Sequence, residues 1–284
     1  SAFVFDSNRE PYYGLGDSTP FVRARAAGLQ YFHSLLQAGS GLELRRGLGL
    51  DPLREWIVRG GVNALGFFES PSNDVAGGGL YSQDFGASPR STYTTRLYLA
   101  VLWESRDNEF SPTTGLYGSA RASVGPGFLS SGTDTWATWD LDLRGYHPFL
   151  DTSDALVGAL QIREASATSS TPLALKPGLG GLSTQRGLPR DRIITQHTAT
   201  VRGELRGFPV HARVFDLPLR LGAGIFGEWG MAGDTFGRLF TTRGHPTWGL
   251  TFFGSYFTDD FVGRADIGFS PDGFSTYVGI GHAI

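Results

Sequence analysis

The sequence contains no cysteine. That absence excludes a disulfide framework and any thiolate-held metal. Charge is also sparse: Asp, Glu, Lys and Arg make up 18% of the chain and sum to −3. A nucleic-acid binder would carry a basic excess, so nucleic acid is not an expected partner. No apolar run approaches the roughly 18 residues that a membrane helix needs, and mean hydropathy is −0.13. There is no Gly-x-Ser-x-Gly elbow and no His-x-x-x-His spacing, and the six histidines are scattered. No catalytic residue, metal or cofactor is expected. The sole methionine is Met231, and the chain opens on Ser1-Ala2. Removal of a signal peptide, or trimming, would leave such a start.

What the sequence has is glycine, at 41 of 284 residues, and aromatics, at 13%. It also has alternation. In Thr135-Trp-Ala-Thr-Trp-Asp-Leu-Asp-Leu-Arg-Gly-Tyr146, the apolar Trp139, Leu141 and Leu143 interleave with Asp140, Asp142 and Arg144. Successive strand residues point to opposite faces, so one face is oily and the other charged. The polar faces hold too many charges for a plain solvated exterior, and the oily faces too many aromatics. A barrel with lipid outside and a wet or salt-bridged interior satisfies both. Hydropathy averaged over the two faces hides such a barrel.

The pattern predicts twelve strands near 2–14, 21–34, 55–68, 92–106, 114–127, 135–147, 155–165, 193–206, 217–229, 246–257, 261–270 and 274–284. The expected fold is therefore all-β, a twelve-stranded antiparallel transmembrane barrel forming a single domain over 1–284. An even count puts both termini on one side of the membrane. Connections 107–112, 148–154 and 258–260 are short, whereas 69–91, 166–192 and 230–245 are long. Short periplasmic turns and long extracellular loops have this asymmetry. Residues 35–54 are long yet lie on the short-turn side. They form either a helical turn or extensions of the flanking strands.

Three segments, in order, resemble the surface-antigen family of bacterial outer-membrane barrels, the BamA/TamA-like assembly factors. The first is Arg106-Asp107-Asn108 with Pro112 and Gly115, which looks like that family's turn. The second is Gly180-Gly181 followed by Gln185-Arg186-Gly187-Leu188, which resembles its Gly-Gly…Val-Arg-Gly-aromatic loop. The third is Phe226-Gly-Glu-Trp-Gly230, which resembles a Phe-x-Asp-x-Gly strand. The final Tyr277–Ile284 looks like a closing strand. The likeness covers roughly residues 90–284. Family members usually have sixteen strands and periplasmic repeats that receive clients. This chain has length for twelve strands and shows no repeat, so it is expected to be a minimal member without those repeats.

The resemblance implies that Arg186 reaches into the barrel and pairs with Glu204 and Glu228. That pairing is expected to act as a structural staple for loop and lumen rather than a switch. Arg202, Arg206, Arg220, Asp140, Asp142 and Arg264 read as lumen lining with nearly balanced signs, which suggests a cross-linked plug. His197 and His282 fall at outward positions. A phospholipase on the lipid face is therefore a remote alternative, although no Ser and Asn pattern accompanies them. Closure requires the first strand to pair with 274–284. Pro11 lacks a ladder donor, and Gly14, Gly279 and Gly281 weaken strand interiors. This seam, ending at Ile284, is expected to be the weakest junction.

The expected location is the outer membrane, with its lipids as partners and a homodimer as the simplest assembly. Folding of client barrels by the chain alone is not expected. Protein insertion with repeats supplied by a separate periplasmic repeat protein is the alternative.

Overall fold

In the computed structural model, residues 2–16, 30–48, 51–71, 79–150, 156–215, 217–256, 262–282 and 284 are described. The fold is all-β, a twelve-stranded antiparallel transmembrane barrel. Its strands are β1 (Ala2–Pro11), β2 (Gln30–Leu48), β3 (Asp51–Pro71), β4 (Arg90–Glu104), β5 (Gly115–Gly125) and β6 (Trp136–Pro148). They continue with β7 (Val157–Ala167), β8 (His197–Val214), β9 (Leu217–Gly233), β10 (His245–Tyr256), β11 (Val262–Ser270) and β12 (Gly273–Ile280). Each strand pairs with the next in sequence, from β1 to β12.

The alternation sorts side chains as the sequence requires. On β9, Leu221, Ile225 and Trp229 face outward and are exposed, whereas Phe226 and Glu228 face inward and are buried. On β6, Trp139, Leu141 and Leu143 are outward and Asp142 is buried. The outward set continues through Leu97, Leu99, Leu160, Ile162, Trp248, Leu250 and Phe252. A contiguous apolar belt of this kind is far larger than water-soluble monomers tolerate. Lipid is the solvent that suits it.

The described part of the second strand runs from Gln30 to Leu48, and residues 21–29 of the expected strand lie outside the described residues. Of residues 35–54, residues 35–48 and 51–54 are strand. They are the ends of β2 and β3, paired from Tyr31↔Pro71 to Leu48↔Asp51. Leu42, Leu44, Val58 and Val62 alternate with polar residues along the hairpin, and that period continues the ladder. Glu43 bridges Arg45 and Arg59 on the other face. The eighth strand also shifts. Ile193–Ile194 leave it to pair with Gly178–Leu179, and β8 runs on to Val214 through a bulge between Gly207 and Val210.

Among the described residues, one rim carries the connection 105–114 and the other carries 79–89, 126–135, 168–196, 234–244 and 271–272; the expected turn 258–260 lies outside the described residues. The tight 271–272 turn follows from Ser270-Pro-Asp-Gly273, with Gly273 at φ +129°. Helix α1 (Gly79–Phe85) caps the long-loop rim. Its Tyr81 packs with Tyr12, Leu173 and Ile194, and its Asp84 accepts from Tyr12 Oη at 2.6 Å. Burial, reinforced by Glu69, pushes the Tyr81 phenol far above its ordinary range.

Candidate functional site

Loop 168–196 folds into the lumen. Gly180 and Gly181, at φ +110° and +102°, make its turn, a conformation that other L residues resist. Thr184 Oγ1 accepts from the Gly180 amide, and the Gly181 amide donates to the Gln185 and Leu188 carbonyls. This knot presents Arg186 at its tip. Close backbone approach is essential there. A Cβ on Gly187 would collide with the Thr247 side chain and the Phe269 carbonyl, and one on Gly268 would collide with the Arg186 carbonyl.

Arg186 is fully buried among three acids from three strands. Its backbone amide donates to Glu228 Oε2 at 2.6 Å and its Nε to Oε1 at 2.7 Å. Nη1 donates to Glu204 Oε2 at 2.5 Å and to Asp266 Oδ1 at 3.3 Å. The guanidinium carbon stands 3.6 Å from the centre of the Phe226 ring, a cation–π contact in a dry setting. The structure thus brings together the three residues that the resemblance pointed to, Arg186, Glu204 and Glu228. It also adds Asp266 and Phe226. Both additions sit on inward faces; alternation was the only sequence signal for Asp266, whereas Phe226 also opens the third motif.

Further arginines share these acids. Arg202 donates to Glu228 at 3.1 Å, to Gln161 at 2.7 Å and to the Leu182 carbonyl at 2.9 Å. Arg206 donates to Glu204 at 3.2 Å and to the Pro112 carbonyl at 2.8 Å. Arg264 pairs with Asp266 at 2.8 Å. Four buried arginines therefore face three buried carboxylates. Arginine does not release its proton in proteins, so the cluster holds charge and does not shuttle protons.

The flanking loop residues brace the tip. Gln185 Nε2 donates to the His245 carbonyl at 2.5 Å. Tyr277 Oη donates to the Leu188 carbonyl at 2.5 Å, and the Leu188 side chain is buried.

The turn that holds Arg106, Asp107, Asn108, Pro112 and Gly115 closes the opposite rim. Asp107 accepts from the amides of Asn108, Thr113 and Thr114. Asn108 accepts from Phe110 and Ser111, and Gly115 turns at φ +103°. Arg106 forms a two-pronged pair with Glu104 and lies over Tyr117.

The expected seam is corrected at its ends. Pro11 is the last residue of β1, paired with Gln30. Gly14 lies outside the strand at φ +88°. Gly279 stays within β12, but Gly281, at φ +75°, turns the chain inward. Ile284 is therefore not part of a closing strand. It is buried against Tyr146 and Ala159 on the far wall. Among the described residues β1 and β12 make no ladder with each other.

His282 is likewise not outward. It packs against Phe253 and contacts Ser111 at 3.3 Å. Burial, together with Arg206 nearby, pushes its imidazole well below its ordinary 6.5. His197 does face outward. It is covered by Trp139 and Phe236, and its Nδ1 lies 2.7 Å from Ser166 Oγ.

No family model matches the chain, and no curated protein matches it. Its fold is similar to that of a solved barrel. The likeness is to the crystal structure of BamA from Haemophilus ducreyi lacking POTRA domains 1-3, with a TM-score of 0.60 and 12% identity. It covers 99% of this chain and 60% of that one.

Proposed function

We propose that this chain is an integral barrel of the bacterial outer membrane that acts as a structural, lipid-binding or oligomeric unit and does not fold other barrels by itself. The carrying observation is the edge of β12, which among the described residues has no strand paired beyond it. Val278 is 85% exposed and Ile280 65%, whereas the outward Leu221, flanked by strands on both sides, is 44% exposed. An apolar edge of this kind in a membrane takes a lipid or a second copy as its cover, and a closed two-fold pair is the simplest assembly. Among the described residues, the lumen offers no competing route for a client. Loop 168–196 is anchored there by Arg186, and the turn at 105–114 meets the tail at 281–284. In this reading the long loops face outward and the short turns face the periplasm.

Native mass spectrometry of the protein released from mild detergent tests the proposal. Retained lipid or a dimer is expected, and a bare monomer under all conditions would contradict it. A second reading rests on the same open edges. With repeats supplied by another chain, a client strand would add to β1 or β12 and the barrel would insert it.

A further inference from the structure

The lumen holds a second charged region, built from residues outside the Arg186 cluster. Between the inward faces of β4 to β8 and the inner side of loop 168–196 lies a cavity of about 320 Å³. Arg96, Arg121, Arg163 and Lys176 line it. Arg163 is paired with Asp140 at 2.9 Å, and Lys176 donates to the Ser169 carbonyl at 2.9 Å. Arg96 and Arg121 differ from both. Arg96 donates to the amide oxygen of Asn63 at 2.8 Å and lies beside Tyr98. Among the described residues no carboxylate comes within ion-pair distance of either arginine. Asp191, the other acid at the cavity, is taken by Arg190.

A second observation lies beside the same space. Thr200 lines the cavity and is only 2% exposed, yet its hydroxyl has no hydrogen-bond partner. Buried polar groups are normally satisfied, and an orphan calls for a missing partner. Arg96 and the more exposed Arg121 place two like charges near each other at one wall of this partly open space, and a negative group would relieve their repulsion.

The geometry points to an oxyanion site, one that takes the phosphate of a small water-soluble molecule. Planar guanidinium forks suit tetrahedral oxyanions because two N–H groups meet two oxygens at once. Thr138 and Thr200 also line this wall. A cavity of this size admits a phosphate or pyrophosphate group, and its polar, arginine-bearing wall does not suit an acyl chain. The loop that walls it belongs to the long-loop rim, so the solute enters from that side.

Calorimetric titration of the purified full chain in detergent tests this, with sodium pyrophosphate as one probe and micellar lysophosphatidic acid as the other. Saturable pyrophosphate binding is expected, weakened about tenfold by Arg96→Gln and by Arg121→Gln and unchanged by Arg238→Gln on an exposed loop. Heat-modifiable migration on gels checks that each variant is folded. Pyrophosphate should also raise the melting temperature of the wild type but not of the two variants. Absence of saturable binding overturns the site, as does binding that both variants leave intact. Binding of the lipid alone overturns it in favour of a headgroup surface.

Discussion

Glu228 holds Arg186 by two atoms at once, its carboxylate taking the backbone amide at 2.6 Å and Nε at 2.7 Å. The first contact fixes the loop, and the second fixes the side chain. Glu228 also takes Arg202 at 3.1 Å and the Thr247 hydroxyl at 2.9 Å. One carboxylate on β9 thus ties loop 168–196 to β8 and β10.

Removing the cation should therefore be expensive. Arg186→Ala leaves Glu204 and Glu228 short of a buried partner, which costs on the order of 3 kcal/mol. The expected result is a lower melting temperature and faster proteolysis within 168–196, with strand content by circular dichroism unchanged. Arg186→Lys should recover little, because an ammonium cannot fork between Glu204 and Glu228. An unchanged melting temperature and unchanged protease sensitivity would show that the cluster does not anchor the loop.

Gly268→Ala tests the same anchor without touching charge. A methyl there would run into the Arg186 carbonyl, and overpacking of this kind costs about 1–3 kcal/mol. The loop should loosen as in Arg186→Ala. Gly227→Ala is the control, since a Cβ there meets nothing, and it should leave loop protection intact.

How much of this was legible in the sequence depended on the period. Where Leu219, Leu221 and Ile225 alternate with polar residues, strand and face could both be read. Residues 35–54 were ambiguous because glycines and charges on both faces blur the alternation, and only the partner β3 fixes the register. Arg186, Glu204 and Glu228 came from motif likeness and alternation. Asp266 carried the same alternation but no motif. The inward turn at Gly281 was hidden because a positive φ on glycine leaves no mark in hydrophobic periodicity. That turn is why Ile284 and His282 lie in the lumen.

His282 gives a pH prediction. Its folded value lies below the ordinary 6.5, chiefly through burial, with Arg206 and Arg264 opposing its charge and Glu204 favouring it. The unfolded chain therefore binds the proton more readily. Stability is full above about pH 6.5 and falls as pH drops below it. His282→Phe should flatten this part of the melting-temperature profile between pH 8 and 5. A profile identical to wild type would place the acid sensitivity elsewhere.

Orientation is tested by labelling intact cells. Tags within 69–91 and 230–245 should react with an impermeant reagent, and tags within 107–113 and 148–154 should not. Because the chain has no cysteine, single introduced cysteines serve as clean tags. Reaction of the short turns alone would invert the orientation.

Reconstitution of the purified chain into liposomes with an unfolded barrel client tests the central claim most directly. The lumen is occupied by loop 168–196, and the edges of β1 and β12, unpaired with each other among the described residues, are assigned to lipid or a second copy. Client folding is therefore predicted to proceed at the rate of protein-free liposomes. Folding well above that rate by this chain alone would contradict the account and make the barrel an insertase in its own right.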